Sequence, residues 1–284
     1  MIKDTTPEKK AARLLELHHS PKPIVLINAW DVCSARIVVD AGFSAIATTS
    51  AGIANALGYP DGQKIPWKAM LQIIADIASA VDVPVTADIE SGFSPDGNSL
   101  DRSITEVIKA GAVGVNLEDL MPGERHGALF SVADQVQRIK IARAAGEKLG
   151  VHLVINARTD AFWQTGAEPP VALANTLERG RAYLDAGADC IFIPGMRDPQ
   201  KIRTVVDAWK APVNILAGPG VPSLQELAKL GVKRVSYGSG PMRAAMGALR
   251  KIAQEALSAG TYSAMTELAI PYDDINGLFE KKGS

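Results

Sequence analysis

Cysteine is scarce: the 284 residues hold only Cys33 and Cys190, at no spacing that suits a metal cluster. That excludes a disulfide framework and predicts two free thiols in a reducing, cytoplasmic setting. An excess of either charge is also missing. The 30 Lys and Arg against 31 Asp and Glu leave a formal net charge of −1, so nothing argues for a nucleic-acid partner or an anionic membrane surface. No apolar run approaches the ~18–20 residues that span a bilayer. The first stretch, MIKDTTPEKKAARLLELHHS, lacks the apolar segment of a secretory signal.

What the chain does have is a 47% hydrophobic content, enough for one large core. Eight short apolar, β-rich runs recur, at 24–30, 44–50, 83–90, 113–119, 152–160, 189–195, 212–218 and 234–239. Amphipathic segments such as LDRSITEVIKAGA and VALANTLERGRAYLDAGA lie between them. Several end in Ala-Gly, the stop that suits a left-handed residue after a helix. Near-continuous apolar strands fit a parallel sheet covered on both faces. Eight βα units predict a (β/α)8 barrel as one domain over 1–284. A doubly wound sheet is the alternative, but no Gly-x-Gly-x-x-Gly follows the first run. The segment 260–284 continues past the eighth helix and is too short to be a domain of its own.

In such a barrel the chemistry sits at the C-terminal ends of the strands. Those ends carry Asn28, Trp30, Asp31, Thr49, Ser50, Asp88, Glu90, Glu118, Asp119, Asn156, Arg158, Asp160, Asn214, Ser236 and Tyr237. Asp88, Glu90 and Glu118 are hard oxygen ligands on adjacent strands, and Asp88 and Glu90 share parity. Three converging carboxylates without histidine or thiol point to Mg2+, with Mn2+ as the other choice. The competing reading is a set of separate acids, each paired with a neighbouring Lys or Arg. Arg158 is expected to fork a substrate carboxylate or phosphonate; the competing reading is an ion pair with Asp160 or Glu118. Thr49, Ser50 and Ala51, before Gly52, could present backbone N–H groups to an anion.

The stretches TTSAGIANALGYPD (48–61), DIESGF (88–93), NLEDL (116–120), NARTDAF (156–162) and ERGRAYLDAGAD (178–189) together resemble the isocitrate lyase/phosphoenolpyruvate mutase superfamily. The resemblance implies a (β/α)8 barrel whose last helix is swapped between subunits of a homotetramer, a dimer of dimers, with 260–284 packing on a neighbour. It implies Mg2+-dependent chemistry on small 2-oxo or 2-hydroxy acids through an enolate. Asp88 would lie closest to the metal, with Asp61, Glu90 and Glu118 reaching it largely through waters. Arg158 and the Ser50–Ala51 backbone would hold the substrate carboxylate, and Asn214 is a further rim candidate. Glu90 stands where the family usually has Asp.

The loop after the fourth strand departs from the family. It reads LMPGERHGALF, without the Lys-Lys/Arg-Cys-Gly-His motif of the lyases or the Lys-x-Asn-Ser type motif of the mutase and hydrolase branch. His126 is the one side chain in it that titrates near neutrality, so Arg158, Glu118 and His126 are the expected catalytic residues. The leading expectation is cleavage of a C–C bond in an oxaloacetate-like acid. Phosphorus–carbon chemistry on phosphonopyruvate or phosphoenolpyruvate, and a non-catalytic barrel that binds a 2-oxo acid, are the alternatives.

Overall fold

The computed structural model describes residues 6–94, 99–122, 127–163 and 169–280. Within these residues lie nine strands, followed by helices from the second onward: β1 Ile24–Leu26, β2 Asn28–Ala29, β3 Ile46–Thr48, β4 Val85–Asp88, β5 Gly114–Glu118, β6 Val154–Arg158, β7 Cys190–Ile193, β8 Val213–Leu216 and β9 Arg234–Ser236. All pair in parallel, in the order β1-β9-β8-β7-β6-β5-β4-β3-β2. The two ends of that order are consecutive in the chain, separated by Ile27 alone. The expected first strand is therefore split: its first half pairs with β9 and its second with β3, and the sheet closes as a (β/α)8 barrel. Asn28 holds this seam. Its Nδ2 donates to the Thr48 carbonyl at 2.7 Å, and its Oδ1 accepts from the Tyr237 and Gly238 N–H groups at 2.9 and 2.8 Å.

The Ala-Gly stops behave as read. Gly42, Gly111 and Gly187 follow the helices Val32–Asp40, Leu100–Lys109 and Pro169–Asp185 with φ of 93°, 97° and 104°, which only glycine adopts freely. One parity of the strands, including Val115, Leu117, Ile155, Ile191, Ile215 and Val235, is fully buried and apolar. It packs beneath the helices and forms the main core.

The opposite parity faces the barrel axis and is strongly polar. Across the ring Glu118 stands beside Arg158, Arg158 beside Phe192, Phe192 beside Asn214 and Asn214 beside Arg234. Below them lie Asn116 beside Asn156 and Asn156 beside Cys190. Barrel interiors are more usually filled by branched apolar side chains. The helix Pro7–His18 closes the N-terminal end, burying Leu14 and His18 completely. A Cβ at position 114 would meet Leu14 Cδ2 at 2.8 Å, so Gly114 leaves the space that this plug fills.

The C-terminal part stands apart from the barrel. Of the 19-residue helix Gly240–Ser258, Met242 alone is buried. The helix Ser263–Leu268 doubles back on it, with Glu255 accepting from the Ser263 and Ala264 N–H groups at 2.8 and 2.7 Å. After the helix Tyr272–Gly277, the Leu278 carbonyl accepts from Arg36, whose guanidinium lies over the Phe279 ring. Part of the tail therefore rests on its own chain. Met246, Leu249, Leu257, Tyr262, Met265, Leu268 and Tyr272 remain exposed. No described helix is long and apolar enough to cross a membrane.

Candidate active site

The C-terminal ends of the strands enclose a cavity of about 220 Å3. Its acidic wall begins at Asp88, the last residue of β4. The Asp88 N–H donates to Thr48 Oγ1 at 2.9 Å, while its Oδ2 accepts from the Ser50 N–H at 3.1 Å and hydroxyl at 2.8 Å. Oδ1 is buried and meets no partner among the described residues. The carboxylate is thus clamped through one oxygen and left without a described partner at the other.

Glu90 reaches the same cavity by a different route than strand alternation. After Asp88 the chain turns sharply, with the Gly92 N–H donating to the Ile89 carbonyl at 2.7 Å. Glu90, Gly92 and Phe93 all sit in the left-handed region, at φ of 52°, 85° and 52°. Two non-glycine residues there cost on the order of 1–3 kcal/mol each. Buried Arg138 holds the turn, donating to the Ser91 and Ser94 carbonyls and lying 4.3 Å from the Phe130 ring. Glu90 Oε1 is buried without a partner among the described residues. Burial, then Asp61 and Asp88, push the Glu90 carboxyl up to about 8, so the metal-free site holds it largely protonated at neutral pH.

Arg158, at the end of β6, is more heavily engaged than the sequence suggests. Its Nη1 pairs with Glu118 Oε2 at 2.6 Å, and its Nε and Nη2 grip Asp160 at 2.8 and 2.9 Å. The structural ion pairs, with Glu118 and with Asp160, are therefore both present. A guanidinium has five N–H donors, so one on Nη1 and one on Nη2 are left for a ligand. Burial lowers its pKa, but Asp160 and Glu118 outweigh that, and it lies above the ordinary arginine value. Burial pushes Glu118 well above the usual carboxyl range; Arg158 opposes the shift, while Asp160, Glu90 and Asp88 add to it.

Behind this pair lies a hub that sequence reasoning did not resolve. Asp119, fully buried, accepts from the Asp160 N–H at 2.9 Å, Tyr183 Oη at 2.8 Å and Arg179 Nη1 at 3.2 Å. Arg179 also donates to the Phe130 carbonyl at 2.9 Å. One helix thus ties together the ends of β5 and β6 and the point where the chain returns after the 121–129 loop. This is the physical content of the ERGRAYLDAGAD stretch.

Asp61, Asp88, Glu90, Glu118, Thr49, Ser50, Ala51 and Arg158 all line the cavity. Three expectations need correction. The Ser50 N–H is taken by Asp88, the Thr49 N–H donates to the Ala29 carbonyl at 3.0 Å, and Thr49 Oγ1 accepts from Gly52. Of this trio, Ala51 N–H is the one left open among the described residues. Asn214 is fully buried in the barrel interior and is not part of the lining. No three His, Cys, Asp or Glu among the described residues form a ready-made ligand cluster. His126 lies outside the described residues. Asn116, Trp163, Phe192 and Ser236 also line the cavity and were not singled out as ligand contacts.

Comparison with known proteins decides the lineage. The family model described as phosphoenolpyruvate phosphomutase matches residues 14–257. The chain belongs to the isocitrate lyase/phosphoenolpyruvate mutase superfamily. It is 30% identical to the phosphoenolpyruvate phosphomutase of Streptomyces hygroscopicus, across 98% of this chain and 90% of that one. It is 33% identical to the 2-methylisocitrate lyase of Shewanella oneidensis, across 84% of this chain and 82% of that one. A solved phosphonopyruvate hydrolase in complex with oxalate and Mg2+ superposes with a TM-score of 0.82 at 25% identity, covering 95% of this superfamily member and 94% of that chain. These named relatives are enzymes, a mutase, a lyase and a hydrolase.

The donor set of this superfamily member fits a hard divalent cation. Four carboxyls line the cavity against one guanidinium among the described residues. Two of those carboxyls, Asp88 and Glu90, keep a buried oxygen with no partner among the described residues. Mg2+ keeps several waters and needs only one or two carboxylates, so the absence of a three-acid cluster does not conflict with it. Asp88 Oδ1 would be the direct ligand, with Asp61, Glu90 and Glu118 holding its waters.

Proposed function

We propose that this protein is a Mg2+-dependent enzyme that cleaves a C–C bond of a small 2-oxo or 2-hydroxy dicarboxylic acid, oxaloacetate being the model substrate, through an enolate. The observation that carries the reading is the pair of buried oxygens without a partner among the described residues, Asp88 Oδ1 and Glu90 Oε1, on residues that line one cavity with Arg158 and its two remaining N–H groups. A bound Mg2+ supplies stabilisation of the negative charge that develops on the 2-oxo oxygen. Arg158 orients the substrate carboxylate, and the Ala51 N–H adds a neutral donor beside it. Asp160 and Glu118 hold the guanidinium plane in place, so orientation is set before the ligand arrives. A cavity of about 220 Å3, below the roughly 300–1,000 Å3 of drug-sized pockets, suits a short acid.

The proton that quenches the enolate is assigned to His126 or to a water. Replacement of His126 by alanine should cut turnover roughly 10²-fold or more if the imidazole is the donor. Near wild-type turnover assigns the step to water.

A panel of oxaloacetate, phosphonopyruvate, phosphoenolpyruvate, isocitrate and 2-methylisocitrate, assayed with and without EDTA, tests the reading. Turnover of oxaloacetate that EDTA abolishes and Mg2+ restores is the expected result. Efficient cleavage of isocitrate or 2-methylisocitrate overturns it. Phosphate release from phosphonopyruvate moves the protein to phosphorus–carbon chemistry, and binding without turnover makes it a 2-oxo-acid sensor.

The assembly proposed is a homotetramer in which the exposed apolar face of 240–272 packs on a second copy of this chain. What supports it is the row Met246, Leu249, Leu257, Met265 and Leu268 on helices that bury almost nothing on their own barrel. Sedimentation as a monomer at micromolar concentration refutes it.

A further inference from the structure

Asn116 occupies the middle of β5, two residues before Glu118, and lines the cavity while only 5% exposed. Its amide has one orientation that the surroundings permit. One end of it receives Arg234 Nη2 at 3.0 Å and Asn156 Nδ2 at 2.7 Å. A guanidinium can only donate, so the atom facing Arg234 must be the oxygen. Both lone pairs of Oδ1 are then taken, and Nδ2 is the end left towards the cavity.

The anchor beneath is itself locked. Arg234 is fully buried, and its Nη1 meets His18 Nε2 at 3.3 Å. His18 Nδ1 faces the Leu14 carbonyl at 2.7 Å. A nitrogen facing a carbonyl must carry the proton, and one facing a guanidinium must not, so His18 is the neutral Nδ1–H tautomer. From the plug helix to the cavity floor, each group thus has one permitted orientation.

We infer that Asn116 is a ligand-binding residue: its Nδ2 donates to an oxygen of the bound small oxo acid, and Asn156 and Arg234 are positioning residues that keep the amide oxygen turned away. The inference deepens the function proposed above and rests on the same cavity. It adds a neutral donor on the floor, where Arg158 supplies a charged one on the wall.

Oxalate with Mg2+ is the probe. Asn116→Asp keeps the oxygen that satisfies Arg234 and Asn156 and removes the donor, so the fold should survive, which circular dichroism and Tm check. Oxalate affinity by calorimetry should fall at least tenfold. In protein labelled with 15N-asparagine, the side-chain amide resonance missing from the Asn116→Asp spectrum should shift when oxalate is added to the wild type. Asn156→Ser should weaken oxalate binding several-fold in the wild-type background and have no further effect in Asn116→Asp, because its influence passes through that amide. Oxalate affinity within twofold of wild type in Asn116→Asp, or an unmoved amide resonance at saturation, overturns the inference and leaves the proposed function intact. A wild-type protein that binds no oxalate with Mg2+ present overturns both.

Discussion

His18 offers a measurement that isolates one buried group. Burial, and then the charge of Arg234, push its pKa from 6.5 down to about 4. In the unfolded chain the imidazole takes a proton below pH 6.5, while in the folded protein it stays neutral until about pH 4. The unfolded state therefore binds more protons in that window, and stability falls as the pH falls through it. At pH 5 the two pKa values make this cost about 2 kcal/mol, against a few tenths at pH 7, and it levels off near 3 kcal/mol below pH 4. Carboxylates elsewhere also titrate in acid, so the comparison has to be with a variant. Glutamine at position 18 can accept from Arg234 through its amide oxygen and does not titrate. Urea denaturation of the wild type and His18→Gln at pH 7, 6 and 5 should show the wild type losing about 2 kcal/mol more than the variant between pH 7 and 5. A differential loss below about 0.5 kcal/mol would mean that His18 is protonated in the folded state or solvated at the barrel base. The assigned tautomer, and with it the locked column under Asn116, would then be wrong.

The remaining predictions concern the site and its support. Asp88→Ala should lower Mg2+-dependent turnover by roughly 10²–10³-fold or more with Tm unchanged or raised, since one of several clustered acids is gone; unchanged turnover refutes the metal assignment. Arg158→Lys should cost roughly 10²-fold in kcat/KM, because an ammonium cannot serve Asp160, Glu118 and a substrate carboxylate together. A lower Tm with wild-type kcat/KM would confine Arg158 to a structural pair. Arg179→Met strands the buried Asp119 carboxylate and should destabilise the fold by about 3–5 kcal/mol, while Tyr183→Phe, which removes the bond donated to Asp119 and the one accepted from Arg179, should cost about 1–3 kcal/mol. Equal effects from the two substitutions, read by chemical denaturation, would show that Asp119 is not held as a charge.

The residues that the sequence made legible are those whose position follows from periodicity alone. Strand spacing placed Asp88, Glu118 and Arg158 at the ends of neighbouring strands, and the structure brings them to one cavity. Glu90 was placed there by parity, yet it arrives through a left-handed turn whose energy depends on Arg138, distant in sequence. The occupants of the Arg158 fork were likewise unresolved, because two acids at suitable spacing do not say which nitrogen each takes. The floor of the site is more instructive. Asn116 and Asn156 stand two residues before Glu118 and Arg158, so strand alternation puts them on the same inner face. Asn156 was accordingly among the strand-end candidates, whereas Asn116, inside the run 113–119, was not singled out. Arg234 was less accessible still. A strand beginning Lys-Arg reads as a solvated edge, because isolated burial of a guanidinium is costly. Its burial makes sense only with Asn116 and His18 in place, and these come from a strand and a plug helix more than a hundred residues away. A group whose burial is tolerable only through such distant partners cannot be read from its local sequence. For the same reason the floor of this site has to be tested by substitutions that keep those partners satisfied.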